Sequence, residues 1–216
     1  MPFTTLFCDL DDTLYPSGNG LWDAIGQRMN RFMIERLELP KEQVPSLRRQ
    51  YYEKYGTTMR GLQIHHHVDA DEYLAYVHDL PLGDYLQPNP LLRSLLSSLP
   101  QRCWIFTNAD AGHAGRVIGI LGLEGCFTGI IDVRAIRFAC KPEALAYVRA
   151  LELAGSPRPE QCALLDDSAV NLVPAHQMGF STVWVSRNGT SHPAAVHTLA
   201  NLLDLPGVMP ELWEAL

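Results

Sequence analysis

Positive charge is in short supply in this sequence. Its 216 residues carry 17 Lys and Arg against 24 Asp and Glu, a formal net charge of −7 with His neutral. A surface that binds nucleic acid clusters Lys and Arg to displace counterions from phosphates, and this acidic balance argues against one. Cysteine is sparse as well. The five present (Cys8, Cys103, Cys126, Cys140, Cys162) are odd in number, form no CxxC pair and sit in apolar contexts. That pattern excludes a disulfide framework and fits buried small hydrophobes in a reducing compartment. Apolar runs stay far short of the roughly 20 residues that span a bilayer. The opening stretch Met-Pro-Phe-Thr-Thr-Leu-Phe has neither the basic region nor the long apolar segment of a secretion signal. The expectation is a cytoplasmic protein with neither a membrane nor a nucleic-acid polymer as partner. No internal repeat, low-complexity tract or long charge run is visible, and nothing in the sequence speaks to oligomeric state.

What is present is enough to build a core. Hydrophobic residues make up 47% and charged residues 19%, which suits one compact domain or one domain with a modest insertion. The second half alternates. Arg102–Phe106, Gly129–Asp132, Cys162–Leu165 and Ser181–Val185 read as strands. Between them, Ala111–Leu121, Pro142–Leu153 and Ala169–Met178 read as helices, with Gly122, Gly155 and Gly179 beyond their ends. Strands separated by helices of this length make βαβ units, hence an α/β fold with a mostly parallel sheet covered on both faces. Leu6-Phe7-Cys8 is one more buried strand.

The first half breaks that rhythm. The stretch from residue 14 to residue 102 greatly exceeds the roughly 30 residues of a plain βαβ unit. Leu21, Trp22, Ile25, Met29, Phe32, Met33 and Leu37 recur at helical spacing. A second helix is expected from near Pro45 and a third over Asp71–Asp79, with Pro81 and Gln87-Pro88-Asn89-Pro90 marking the return. Residues 17–87 therefore read as a helical insertion, and residues 1–16 with 88–216 as the parent domain.

The densest chemistry is Asp9-Leu10-Asp11-Asp12-Thr13, directly after the first strand. In an open parallel sheet, ligands bind beyond the carboxyl ends of the strands. A plain polar turn is one reading. However, three carboxylates in four residues repel one another at a buried strand end unless a cation offsets them, which favours a metal or nucleophile site. Three further positions fall at strand ends or helix starts: Thr107-Asn108, Lys141 before Pro142, and Asp166-Asp167-Ser168. Each alone has an ordinary structural reading, as a turn, a solvated charge or a helix N-cap. In this order they are specific.

With DxDxT at Asp9–Thr13, Thr107, Lys141 and the acidic pair Asp166–Asp167, the chain resembles the haloacid dehalogenase-like (HAD) hydrolases over its whole length. The resemblance implies a Rossmann-like core with residues 17–87 as a helical cap, and phosphoryl transfer through an aspartyl-phosphate. It implies Asp9 as nucleophile and Asp11 as the acid and base that serves the leaving oxygen and then water. Mg²⁺ would be held by Asp9, the Asp11 carbonyl, Asp167 directly and Asp166 through water. Thr107 and Lys141 would hold the transferring oxygens, with Lys141 also keeping Asp9 ionised. Asn108 is either a further donor or a plain turn residue, and Asn171 would orient the acidic loop. Counting one proton on Asp11 brings this pocket to neutrality before a dianion arrives.

Four stretches, Asp9–Pro16, Tyr55–Leu62, Val77–Leu82 and Ile105–Asp110, resemble the capped HAD subgroup of pyrimidine 5′-nucleotidases. That implies small phosphorylated metabolites, foremost nucleoside 5′-monophosphates, as substrates. A phosphomutase or a sugar-phosphate phosphatase of the same superfamily shares the catalytic set, and a non-catalytic binding module is the remote alternative. Arg60, in a turn at Thr57–Gly61, either binds a phosphate or base carbonyl or is solvated. Tyr15 either faces a base at the pocket mouth or packs between insertion and core. Consecutive His65, His66 and His67 cannot all face one ion, which disfavours a metal site there; their role is open.

Overall fold

Thr5–Cys8 (β1) is buried along its whole length, as a strand without polar alternation should be when helices cover both faces of its sheet. The computed structural model describes residues 3–187 and 191–213. After β1 the chain enters four helices: α1 (Leu21–Glu35), α2 (Val44–Tyr55), α3 (Thr58–His66) and α4 (Ala70–Val77). It returns through α5 (Pro90–Ser97) and continues as β2 (Arg102–Phe106), α6 (Ala111–Leu121), β3 (Gly129–Ile131) and α7 (Ala144–Leu153). β4 (Cys162–Asp166), α8 (Ala169–Met178), β5 (Ser181–Val185) and β6 (His197–Leu199) follow.

The six strands form one sheet in the order β3-β2-β1-β4-β5-β6, and every neighbouring pair is parallel. Side-chain alternation sorts each strand onto two faces. Leu6 and Cys8 point into a cluster with Ile105, Leu165 and the α6 residues Val117 and Ile118. Phe7 points the other way, to Phe106, Leu164 and the α7 residue Tyr147. The chain leaves β1 toward β2 and β3, then crosses back to β4 on the opposite side. This reversal opens a crevice at the carboxyl ends of β1, β2 and β4. In register, Cys8 lies beside both Ile105 and Leu165, so the residues that follow all three strands share one level.

The inserted helices build a third cluster from Phe32, Met33, Tyr51, Leu62, Tyr73 and Val77, which also takes in Val133 and Cys140 of the parent domain. Leu21 and Ile25, at the start of α1, belong instead to the main cluster. Among the described residues, no helix is long and apolar enough to cross a membrane.

Three expectations change in detail. The segment read as a turn at Thr57–Gly61 opens a helix. The Thr57 hydroxyl caps α3 by accepting from the Arg60 N–H at 3.1 Å, and Gly61 lies within the helix where any side chain would meet the Tyr51 ring. The α7 helix starts at Ala144 rather than Pro142, since the Lys141 backbone is tied to the Asn108 side chain. Pro90 begins α5 instead of only closing a linker, a position where its missing N–H costs nothing.

Candidate functional site

The crevice holds a chain of buried charges. Lys141 Nζ donates to Asp9 Oδ1 at 2.8 Å and to Asp166 Oδ2 at 2.6 Å. Its ammonium lies over the Phe106 ring, 5.0 Å from the centroid, and only 1% of the side chain is exposed. Asp166 is saturated: Oδ1 accepts from the Ser168 N–H and from Asn171 Nδ2, and Oδ2 accepts from Asn171 Nδ2 as well as the lysine. Asp167 has no such partners among the described residues, although its backbone N–H donates to Thr13 Oγ1 at 3.1 Å. Thr107 is buried at the end of β2, its hydroxyl oxygen accepting from the Ala109 N–H.

One lysine does not neutralise this group. Burial, reinforced by Asp166 and only partly opposed by Lys141, pushes Asp9 up to about 7. Burial again, with Asp9, Asp166 and Asp12 adding to it, pushes Asp167 up to about 8. Lys141 itself is shifted upward, because Asp166 and Asp9 outweigh the burial that would lower it. Carboxylate oxygens of Asp9, Asp166 and Asp167 lie within 4.8 Å of one another. An all-oxygen donor set short of positive charge fits a hard divalent cation such as Mg²⁺.

Asp11 is held separately. Tyr15 Oη donates to its Oδ1 at 2.6 Å, and His113 Nε2 lies 2.9 Å from the same oxygen. Burial pushes Asp11 up, but His113 and Tyr15 together outweigh it and hold the carboxyl below its ordinary range. An ionised carboxylate only accepts, so His113 carries its proton on Nε2. The proton counted on Asp11 in the sequence-based charge balance is therefore absent in this state. Behind His113, His78 of the insertion stacks on the ring, with centroids 4.2 Å apart and planes 17° apart. His78 Nδ1 in turn pairs with Asp110 Oδ2 at 2.6 Å, and the Asp110 Oδ1 caps α6.

A cavity of about 580 Å³ joins these groups to the helical insertion. Asp9, Asp11, Asp12, Thr107, Lys141 and Asp167 line one end. At the other, Met29, Met59, Leu74 and Val77 form an apolar wall, with Arg48, Arg49, Tyr52 and Tyr73 among them. The insertion rests directly on the end that holds Lys141. Gly56, at φ +78°, lies so close that an added Cβ would sit 2.5 Å from the Lys141 carbonyl oxygen. Only glycine meets both demands there.

The sequence-selected residues thus divide. Asp9, Asp11, Thr107, Lys141, Asp166 and Asp167 converge at the strand ends, and Asn171 Nδ2 donates to both Asp166 oxygens, at 2.9 and 3.1 Å. Asn108 lines the cavity, yet both ends of its amide are engaged with the Lys141 backbone, at 2.8 and 2.9 Å. Tyr15 is 3% exposed and does not line the cavity, because the helical turn after Asp11 brings its hydroxyl back onto that carboxylate. Arg60 is not among the lining residues either; the arginines that reach the cavity are Arg48 and Arg49 of α2. His65 and His66 bond the Tyr55 and Tyr51 hydroxyls, and His67 ends α3. Sequence reasoning passed over His78, His113, Arg48 and Tyr73. The first lies inside a stretch already noted for its resemblance and the second three residues beyond another, so proximity to those motifs was the available signal.

Residues 3–179 match the profile of the haloacid dehalogenase-like hydrolase family. Phosphate metabolism protein 8 of Saccharomyces cerevisiae is 30% identical over 191 residues, covering 82% of this chain and 60% of its own length. The chain thus spans three fifths of that curated relative. Among solved structures, the HAD phosphatase from Thermococcus onnurineus superposes with a TM-score of 0.65 at 18% identity, over 95% of this chain and 97% of that one. The magnesium-bound HAD-hydrolase YfnB from Bacillus subtilis gives 0.62 at 17% identity over the whole of both chains. L-2-haloacid dehalogenase from Xanthobacter autotrophicus gives 0.61 at 18% identity, over 95% of this chain and 97% of that one. At these identities the likeness speaks to fold.

Proposed function

This chain belongs to the haloacid dehalogenase-like hydrolases, and we propose that it is a Mg²⁺-dependent phosphatase of small phosphate monoesters, foremost nucleoside 5′-monophosphates. Residues 17–87 serve as its substrate-facing cap. The observation that carries this reading is the pairing of a metal-competent carboxylate cluster with an independently held Asp11. A phosphate ester needs both screening of its negative charge and a proton for its leaving oxygen. A carbon–halogen bond needs neither, so the same two features disfavour dehalogenation. The name of the yeast relative, which refers to phosphate metabolism, points the same way.

Asp9 attacks phosphorus with the oxygen not engaged by Lys141 and carries the phosphoryl group as an acyl phosphate. Lys141 Nζ and the Thr107 hydroxyl supply a cation and a donor to the transferring oxygens. Asp11, steered by Tyr15 and His113, hands a proton to the leaving oxygen and takes one back from the water that cleaves the acyl phosphate. Approach of a dianion raises the Asp11 pKa from its depressed value, so protonation follows substrate binding. Asp9, Asp167 and, through its fixed orientation, Asp166 would hold Mg²⁺, which when bound screens the nucleophile from the phosphate. The cavity volume falls in the range of small-ligand sites, roughly 300–1,000 Å³.

Phosphate release from p-nitrophenyl phosphate with Mg²⁺ tests the chemistry. Asp9→Asn is expected to lower kcat by at least about 10³-fold, and EDTA to silence the wild type. Retained turnover in either case refutes the scheme. A panel of nucleoside monophosphates and sugar phosphates tests the substrate class: if UMP, CMP and IMP all lag far behind sugar phosphates, the nucleotidase assignment fails. Isomerisation without phosphate release identifies a mutase instead.

A further inference from the structure

Two polar groups on the cap wall of the cavity are left without partners. The Tyr73 side chain is 1% exposed, and its hydroxyl makes no hydrogen bond among the described residues. Arg48 Nε is likewise buried and unpartnered. Both residues line the cavity, and the Arg48 charge bears directly on the Tyr73 hydroxyl. Buried donors are nearly always satisfied, so an enclosed pair that is not calls for an outside acceptor.

The rest of the guanidinium narrows what that acceptor is. Arg48 NH1 donates to the Gly26 carbonyl at 2.8 Å and to Asn30 Oδ1 at 2.9 Å, and NH2 points at the Met29 sulfur at 3.4 Å. These partners are neutral, and no cap residue lining the cavity is acidic among those described. Apart from the exposed Arg49 and Tyr52, Arg48 Nε and the Tyr73 hydroxyl are the buried unpartnered donors of this wall among the described residues. They are flanked by the thioethers of Met29 and Met59 and the apolar side chains of Leu74 and Val77. A phosphate or second anion asks for more donors and fewer apolar neighbours. A planar heterocycle bearing ring carbonyls asks for one or two donors at its edge and polarisable contacts on its faces.

We propose that Arg48 and Tyr73 form a leaving-group subsite that takes the ring-carbonyl edge of a nucleobase while the phosphate sits at Asp9. The subsite rests on the phosphatase assignment and sharpens it: a base with carbonyl oxygens, such as uracil, is what the cap selects. Sites built to hydrogen-bond a group reject analogues lacking it, because their donors are then left buried and unpaired.

The test compares uridine 5′-monophosphate with ribose 5-phosphate, which has the same phosphate and sugar without the base, and uses p-nitrophenyl phosphate to report the chemistry alone. Wild type is expected to favour the nucleotide. Tyr73→Phe removes only the unpartnered hydroxyl, so its thermal midpoint should stay at or above that of wild type. It should nevertheless lower kcat/KM for the nucleotide roughly fivefold more than for ribose 5-phosphate. Arg48→Met should erode the same ratio further, by tenfold or more on the order of a charged hydrogen bond, but it also unties α2 from α1, so the tyrosine variant decides. If wild type favours the nucleotide and Tyr73→Phe keeps the full preference, the subsite is wrong while the phosphatase stands. Equal use of the nucleotide and ribose 5-phosphate by wild type, with p-nitrophenyl phosphate cleaved, likewise overturns the subsite alone. Failure to cleave any of the three overturns the phosphatase assignment and the subsite with it.

Discussion

The two ends of one cavity are built by opposite rules. At the strand ends the charged groups are largely tied to one another: Lys141 holds two carboxylates, Asp166 accepts from three residues, and Asp11 is bracketed by two donors. Among the described residues, the Asp167 carboxylate, Asp12 Oδ1 and His113 Nδ1 stay open. On the cap wall, Tyr73 Oη and Arg48 Nε stand unpaired among methionines. A site that stabilises developing charge gains from groups fixed beforehand, since nothing then reorganises during reaction. A site that selects a leaving group gains from donors left open, since the ligand completes them. The contrast predicts that damage at the core end lowers turnover of all substrates alike, whereas damage at the cap end changes their ranking.

The sharpest way to break that contrast is at His113, which touches Asp11 from a helix that makes no part of the motif. His113→Ala removes a donor from the Asp11 carboxylate and leaves Tyr15 as its remaining anchor. It should lower kcat by about 10- to 100-fold, a part of the roughly 10²- to 10⁴-fold that a general acid–base group contributes, since His113 acts through Asp11. The loss should be equal for uridine 5′-monophosphate, ribose 5-phosphate and p-nitrophenyl phosphate. A loss confined to the nucleotide would mean that His113, and His78 stacked on it, belong to recognition instead.

How much of this was legible beforehand follows the same divide. The strands and the helices between them were readable because continuous apolar runs alternate with glycine-terminated amphipathic segments, and the charged residues at their ends fall where a parallel sheet binds ligands. The cap was readable as helical but not in its partition. Thr57-Thr58 followed by Gly61 has the composition of a turn, but Thr57 caps a helix there and Gly61 is the residue small enough to pack against the Tyr51 ring. Tyr15 was visible as a special residue, yet its role depends on the turn that carries it back to Asp11, four positions earlier. Arg48 and Tyr73 were beyond reach, because what distinguishes them is a lack of partners once α1, α2 and α4 are packed together. An unmet hydrogen bond has no sequence pattern.

A smaller effect separates the ends by pH. In the metal-free protein Asp9 titrates near 7, Asp167 near 8 and Asp12 near 6, each raised chiefly by burial from an ordinary value near 3.8. At these three groups the native state therefore binds more protons than the unfolded chain between about pH 4 and pH 8. The stability these three carboxyls contribute falls as pH rises through that window and levels off above it. His78 and His66, both lowered by burial, act the other way below their ordinary value of 6.5, so the fall is clearest above it. Mg²⁺ takes the place of those protons, so the thermal midpoint should rise on adding Mg²⁺, and by more at pH 8 than at pH 5. Thermal unfolding at both pH values, with and without the ion, checks the sign. A metal-free protein that grows more stable from pH 5 to pH 8 would place the carboxylates in a different charge state. Tyr73→Phe should leave this pH dependence untouched, since it lies at the end where no carboxylate titrates.

The smallest expected effect is at Arg60, and it is informative for that reason. Arg48 and Arg60 are both arginines on cap helices, and by sequence Arg60 was the more attractive, sitting beside Thr57, Thr58 and Met59, which do line the cavity. The Arg60 side chain does not line the cavity, and its charge is felt by Cys140. Arg60→Met should change kcat/KM for uridine 5′-monophosphate less than about twofold and stability by no more than about 0.5 kcal/mol, as for a half-buried side chain without a hydrogen bond or ion pair among the described residues. The nucleotide-to-ribose phosphate ratio is the discriminating readout. If it falls for Arg60→Met as steeply as for Arg48→Met, then charge near the cap matters without regard to position, and the two donors at Arg48 and Tyr73 lose their standing as the base-reading pair.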